Sequence, residues 1–333
     1  MLDPVPQKFT RYVVMGAGAW GTAVAIHLAR YNPSVTLLCR NEYIVQTLNR
    51  VRENKAYLPG YPLSSTLYVT NDISCLNGAI ALIAVPVAGL ANALLQAQHQ
   101  NAQAAIWLCK GLEASTGRLP HELASHLNIT LPTGVLSGPS FAQEVAQGLP
   151  TALTIATYHE WLRLNIQTAL HHGTMRVYTS TDVIGVEIAA AVKNIIALAC
   201  GISDGLNLGL NARAALITRG LAETARLTLA LGGKMDTLMG LTGVGDLVLT
   251  CTGSLSRNRS YGTLLAQGYS PNTIEAQLGH VAEGARCVSA VAKRAVQLGI
   301  DMPIVDSVAR LVTGELSPQS ALSILLAREA KSE

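Results

Sequence analysis

Charge is scarce in this chain of 333 residues: only 14% are Asp, Glu, Lys or Arg, against roughly 25% in ordinary soluble domains. Alanine and leucine take up much of the deficit, which points to helix-rich, tightly packed parts and a buried subunit interface. The charge that is present nearly balances, leaving a net +3. That is too little to argue for nucleic acid or an anionic membrane surface, and leaves room only for a local positive patch facing a phosphorylated substrate. Cysteine pairs are absent too. Cys39, Cys75, Cys109, Cys200, Cys251 and Cys287 are scattered with no Cys-x-x-Cys and no zinc-like spacing, as expected of single buried thiols in a reducing compartment. Met1 to Thr10 lacks an apolar stretch and carries Asp3, Pro4 and Pro6, so a signal peptide is not expected. The longest apolar runs are broken by Glu187 and Lys193, or by Gly and Pro, before they could span a bilayer. The expectation is a cytoplasmic protein with no membrane insertion. His171-His172 is the one paired histidine, without a Cys or carboxylate cluster nearby in sequence, so no metal site is expected.

What is present has the grammar of an α/β protein. Tyr12 to Met15, Ser34 to Cys39, Ala79 to Val85 and Ala104 to Cys109 read as strands alternating with helical stretches, which predicts a parallel, doubly wound sheet. Gly134 to Thr157 continues with mixed strand and loop character. After Thr181-Asp182, a plausible N-cap, helical patterns take over. The length suits two domains, expected at 1–182 and 183–333, with no flexible linker, internal repeat or low-complexity segment.

Gly16-Ala17-Gly18-Ala19-Trp20-Gly21 follows the first strand and opens a helix over Thr22 to Arg30. In that context the first glycine makes a tight turn, the second lets backbone N–H groups approach a pyrophosphate, and the third lets helix and strand pack closely. The helix N-terminus adds donors and a favourable dipole for the anion. The second strand ends at Cys39-Arg40-Asn41-Glu42. An NAD site places an acid on the adenosine ribose here, whereas Arg40 suits the 2′-phosphate of NADP. With Glu42 close by, the reading is use of both NAD and NADP with NADPH favoured; the competing view is that Arg40 merely faces solvent. Lys110-Gly111 follows the fourth of these strands at its C-terminal end, the edge where open α/β sheets bind ligands; a surface lysine is the plainer alternative.

Lys193 lies in the helical run Val183 to Cys200, flanked by small or branched apolar residues. An ammonium taken out of water is costly unless paired and commonly answers with a lowered pKa, which suits a proton donor for carbonyl reduction. The bland reading is a stem that snorkels until the charge reaches solvent. Asp246, after Gly243-Val244-Gly245, is a carboxylate that could approach and orient Lys193. Ser256-Arg257-Asn258 reads as a helix start, with hydroxyl and amide groups beside a guanidinium that can grip phosphate through two parallel bonds; an ordinary N-cap with a surface arginine competes with it.

With these pieces in order, the chain resembles the bacterial NAD(P)-dependent glycerol-3-phosphate dehydrogenases over nearly its whole length. The stretches that carry the resemblance are Gly16 to Ala23, Gly138 to Val145, Val192-Lys193-Asn194, Gly243 to Leu247, Ser256-Arg257-Asn258 and Val281 to Gly284. The resemblance implies an N-terminal Rossmann-type domain, an all-helical C-terminal domain, a homodimer, and a role in phospholipid precursor synthesis through interconversion of dihydroxyacetone phosphate and sn-glycerol 3-phosphate. It implies that Ala19, Trp20, Arg40, Lys110, Ala142, Val281 and Glu283 contact the dinucleotide beside Gly16, Gly18 and Gly21, with Arg257 also near it. It implies Lys193 as catalytic acid/base, and Lys110, Gly138, Ser140, Lys193, Asp246, Ser256, Arg257 and Asn258 as substrate-binding residues. Two positions depart from the family pattern. Ala19 stands where serine is frequent, removing one hydroxyl contact to the pyrophosphate, and Val87-Ala88-Gly89 follows Ala84-Val85-Pro86 where the family commonly has serine. Two rivals differ in kind: a β-hydroxyacid or phosphogluconate-type dehydrogenase, which needs groups for a carboxylate, and a sensor that binds NAD(P) without turnover.

Overall fold

The computed structural model describes residues 11–279 and 282–327. From Arg11 the chain runs through β1 (Tyr12–Met15), α1 (Ala19–Tyr31), β2 (Val35–Leu38), α2 (Glu42–Val51), β3 (Leu67–Thr70), β4 (Ile80–Ile83), α3 (Val87–His99) and β5 (Ala104–Trp107). It continues with α4 (Pro120–His126), β6 (Thr133–Ser137), α5 (Ala142–Gln147), β7 (Thr151–Ala156), α6 (Glu160–Leu170) and β8 (Met175–Ser180). The eight strands form one sheet in the order β3-β2-β1-β4-β5-β6-β7-β8. All neighbours are parallel except β6 and β7, which pair antiparallel with Leu136 opposite Ile155.

The register explains why the inner strands read so clearly. Tyr12 to Met15 lies between Val35 to Leu38 and Ile80 to Ile83, and β1, β4 and β5 are buried at every position. A parallel strand covered on both faces must be apolar throughout. The four expected strands are present, the first over its full expected length, the second and third trimmed at both ends and the fourth at its C-terminal end. β8 instead alternates, burying Met175 and Val177 while Arg176 and Tyr178 stay exposed; so short a half-polar segment carries a weak sequence signal. His171 caps the C-terminus of α6, and the His172 ring stacks on Tyr31 at 4.9 Å. The chain winds outward from β1 in one direction through β2 and β3, then restarts at β4 on its other side. That reversal is the switch point beside which open sheets of this kind bind ligands.

The second unit is helical: α7 (Val183–Gly205), α8 (Gly209–Ala230), α9 (Met235–Leu238), α10 (Asp246–Thr252), α11 (Arg257–Ala266), α12 (Pro271–Leu278), α13 (Glu283–Gln297), α14 (Pro303–Val312) and α15 (Pro318–Leu326). The chain divides into compact units of residues 1–110 with 120–186, and 111–119 with 187–333. Asp182 starts α7, its Oδ1 accepting from the Gly185 N–H at 3.0 Å. Length and hydropathy alone would let α7 cross a membrane, but 94% of its most apolar window is buried inside the protein, the pattern of a core helix. Gly201 and Gly262 let α7 and α11 touch backbone to backbone. A Cβ on Gly201 would sit 1.9 Å from the Arg259 carbonyl oxygen, and one on Gly262 2.1 Å from that of Leu198. This close approach holds the start of α11 near the middle of α7.

One buried carboxylate makes the helical unit sensitive to pH. Glu223 on α8 accepts the N–H groups of Ile304 (2.8 Å) and Val305 (3.2 Å), capping α14. Burial outweighs these bonds and pushes its pKa up to about 7. The raised folded value means the folded state holds a proton that the unfolded chain has released between about pH 4.5 and 7. Stability from this group is therefore full below pH 4.5 and is lost as pH rises through 7, by about 3 kcal/mol. Thermal melts of the wild type and Glu223→Gln across pH 4.5–8 should diverge in slope, the variant lacking this component of the decline. Parallel curves would show that Glu223 does not titrate there.

Candidate functional site

The glycine turn after β1 is built for close approach. Gly16 has φ +112°, and its N–H donates to the Leu38 carbonyl at 2.9 Å. A Cβ on Gly21 would lie 2.0 Å from the Gly16 carbonyl oxygen, whereas one on Gly18 would meet nothing within 4 Å. Gly18 is the N-cap of α1 and supplies no side-chain cap, and the first turn holds no acidic residue. Open space in front of uncapped N–H groups at the start of a 13-residue helix suits an anion. These features fit a dinucleotide pyrophosphate. Ala19 and Trp20 form the first turn and pack against the sheet core while staying partly accessible. The Trp20 Nε1 is buried with no hydrogen-bond partner, an orphaned donor beside the turn. Asn54, 2% exposed, clamps the motif by donating to the Ala17 carbonyl and the Thr22 hydroxyl, each at 2.8 Å.

Arg40 is exposed immediately past β2, and Glu42 opens α2. The Glu42 carboxylate accepts from Gln46 at 3.3 Å. At the ends of β5 and β6, Lys110 and Ser140 converge on one atom. The Lys110 ammonium donates to the Gly138 carbonyl at 3.3 Å and the Ser140 hydroxyl at 3.0 Å. Ala142 begins α5 just beyond.

On the helical unit a second cluster forms around Lys193, which is 6% exposed. Its ammonium donates to the Asp246 carboxylate at 2.5 Å and to the Thr250 hydroxyl at 2.9 Å. Asp246, 1% exposed, opens α10 after a π-helical turn over Leu241–Gly245. Thr250 lies one helical turn further on, and its hydroxyl donates to the Asp246 carbonyl at 2.6 Å. Snorkelling is therefore ruled out for Lys193: the charge is paired inside. The neighbouring Cys251 thiol is pushed far above its ordinary range by a hydrogen bond with Cys200 and by burial, which keeps it a thiol beside the ion pair.

The adjacent residue carries the network onward. The Asn194 Oδ1 accepts from Asn258 at 2.9 Å, and the Asn258 Oδ1 accepts the Gly284 N–H at 3.0 Å. Asn258 thus ties α7, α11 and α13 together. Ser256 caps α11, its hydroxyl oxygen accepting the Arg259 N–H at 3.3 Å, and Arg257 is exposed at the first helical position. Arg259 behind it is anchored on Asp204 at 2.6 Å, and Arg213 grips the same carboxylate. Glu283 opens α13, partly buried. Val281 lies outside the described residues. Sequence reasoning gave no role to Thr250, Asn194 or Asn54. The i, i+4 spacing of Asp246 and Thr250 was the one available signal; Asn54 is too far along the chain from its turn to offer any.

Similarity to known proteins extends over nearly the whole chain. A family model for the N-terminus of NAD-dependent glycerol-3-phosphate dehydrogenase matches residues 12–162, and the C-terminal model matches 182–323. A curated relative from Paucimonas lemoignei, glycerol-3-phosphate dehydrogenase (NAD(P)+), is 52% identical over 330 residues, 97% of this chain and 98% of the relative. The crystal structure of glycerol-3-phosphate dehydrogenase from Coxiella burnetii superposes with a TM-score of 0.92 at 40% identity, covering 97% of this chain and all (100%) of that one. The glycerol-3-phosphate dehydrogenase from Saccharomyces cerevisiae gives 0.80 at 26% identity, covering 96% of this chain and 99% of that one.

Proposed function

The chain belongs to the NAD-dependent glycerol-3-phosphate dehydrogenase family, and from that premise we propose how its residues divide the work of the reaction. The enzyme reduces dihydroxyacetone phosphate to sn-glycerol 3-phosphate and runs the reverse oxidation, using NAD(P). The bound cofactor supplies hydride to the ketone carbon. Gly16, Gly18, Ala19, Trp20 and Gly21 hold its pyrophosphate, and Arg40 reads its adenosine ribose, with Ala142, Val281 and Glu283 as further contacts. Lys110, Gly138 and Ser140 form a polar set that steadies cofactor and substrate. Ser256, Arg257 and Asn258 at the start of α11 take the substrate phosphate, with Arg257 also near the cofactor, and orient the carbonyl for attack.

Lys193 stabilises and then protonates the developing alkoxide. The observation that carries this reading is its buried ammonium, set in an apolar helix and donating to the Asp246 carboxylate and the Thr250 hydroxyl. Asp246 keeps the lysine charged, and hence able to donate, while Thr250 fixes its direction. Product feeds glycerophospholipid synthesis in the cytoplasm, and the working unit is a homodimer. A carboxylated ketone would serve equally well if the phosphate reading were wrong. Loss of NADPH absorbance with dihydroxyacetone phosphate, beside carboxylated ketones at equal concentration, separates the two. Turnover confined to the phosphorylated ketone is expected, and preference for a carboxylated one would overturn the assignment.

Cofactor choice follows from Arg40. A guanidinium at the end of β2 pairs with the 2′-phosphate of NADPH, whereas NADH offers it only a hydroxyl. Exposure limits the effect, so the expected preference for NADPH is about tenfold, or about 1.4 kcal/mol. Arg40→Ala should bring the two specificity constants together, chiefly by weakening NADPH. An unchanged ratio would mean that another group reads the phosphate.

A further inference from the structure

Two arginines stand two residues apart at the start of α11 and are used in opposite ways. Successive helical residues turn by about 100°, so Arg257 and Arg259 project roughly 200° apart, on nearly opposite faces. Arg257 is exposed and bonds to no other described residue. Arg259 turns inward, its Nε donating to the Asp204 carboxylate at 2.6 Å and its Nη1 to the Thr252 carbonyl at 3.5 Å. The other Asp204 oxygen accepts the Arg213 Nε at 2.9 Å and Nη2 at 2.5 Å. One carboxylate thus holds two guanidinia, and all three side chains are largely sheltered.

This pairing supplies orientation. Backbone contact at Gly201 and Gly262 brings α7 and α11 together, but glycines offer no side chain to key a helix against rolling. The first turn of α11 is tied to α7 by two side chains, Asn258 on Asn194 and Arg259 on Asp204. The first tie is neutral and uses a group assigned to the phosphate; the second is charge-assisted and therefore the stronger. It sets the roll of the helix, and hence where Arg257 points. The Thr252 bond spans Gly253 to Ser256, the loop that ends in the capping hydroxyl.

We propose that Asp204 and Arg259 are positioning residues for the substrate phosphate: their ion pair holds the first turn of α11 so that Arg257 faces the anion, and keeps Arg259 itself off it. This rests on the assignment of the phosphate to Ser256, Arg257 and Asn258.

Steady-state kinetics on full-length Arg257→Ala, Asp204→Asn, Arg259→Met and Arg213→Met, with dihydroxyacetone phosphate and with dihydroxyacetone, test it. Asp204→Asn should raise KM for the phosphorylated ketone by at least about tenfold, with kcat and NADPH affinity within about threefold of wild type. Dihydroxyacetone should lose little. The direction is diagnostic, because an Arg259 that acted only through its charge would, once freed, lower KM. Arg259→Met and Arg213→Met remove the same charge, and each leaves Asp204 one guanidinium, so both should fold even where Asp204→Asn does not. Only Arg259→Met should repeat the rise in KM, with Arg213→Met staying within about twofold. Unchanged or lowered KM in Asp204→Asn would overturn the proposal. Equal KM values in the two methionine variants would also overturn it, making the trio a brace for the fold alone. If Arg257→Ala alone separates the two ketones, the phosphate assignment stands and the positioning role falls; if Arg257→Ala does not separate them, both fall.

Discussion

Lys193→Met should lower turnover by at least about a hundredfold while NADPH still binds. Methionine keeps the apolar stem and deletes the ammonium, so the alkoxide loses both its stabilising charge and its proton source. The substitution also leaves the buried Asp246 carboxylate without the cation now 2.5 Å away. Breaking a buried pair from one side costs about 3–5 kcal/mol, so lost activity alone would not separate chemistry from folding. The double variant Lys193→Met with Asp246→Asn removes the uncompensated charge and should recover most of the lost thermal stability with none of the lost turnover. Recovery of turnover in the double variant, or near wild-type turnover in the single one, would make Lys193 structural. Steady-state rates and melting curves on both proteins give the answer.

Arg257→Ala should raise the apparent KM for dihydroxyacetone phosphate by roughly ten- to a hundredfold, since a charge-assisted bond to phosphate is worth about 1.5–3 kcal/mol. The structure favours a clean result: Arg257 is exposed at the first position of α11, and Ser256, not Arg257, caps the helix. Fold should survive its removal. Dihydroxyacetone, which lacks the phosphate, should lose little further in this variant. Equal losses for the two substrates would place the phosphate elsewhere.

The parts of the fold legible in the sequence were those where one physical demand dominates. A strand buried on both faces has to be apolar, so Tyr12 to Met15 and Ala104 to Trp107 stood out. β8 satisfies two demands at once, core on one face and solvent on the other, and alternation confined to Met175–Tyr178 is too short to separate from a loop. The same contrast runs through the site. A turn that needs glycine at fixed positions declares itself, and so does a lysine set in an apolar helix. Hydrogen-bond partners are harder. Asp246 was legible as a possible orienting group because it follows a glycine-rich turn, but Thr250 looks like any helical threonine until its hydroxyl is placed 2.9 Å from the Lys193 ammonium. Asn194 sits next to Lys193 in sequence and yet acts through Asn258, 64 residues on. Long-range pairs of this kind depend on α7 and α11 touching at Gly201 and Gly262, a contact that only the folded chain supplies.

If the Lys193 ammonium itself delivers the proton, an ammonium supplied from solution should replace it. Lys193→Ala opens a space where the side chain stood, and a small primary amine such as ethylamine can enter it as an ammonium beside Asp246 and Thr250. With dihydroxyacetone phosphate and NADPH saturating, the variant should be at least about a hundredfold slower than the wild type, and its turnover should rise with ethylammonium concentration towards a plateau. Wild-type turnover in Lys193→Ala without any added amine would contradict it.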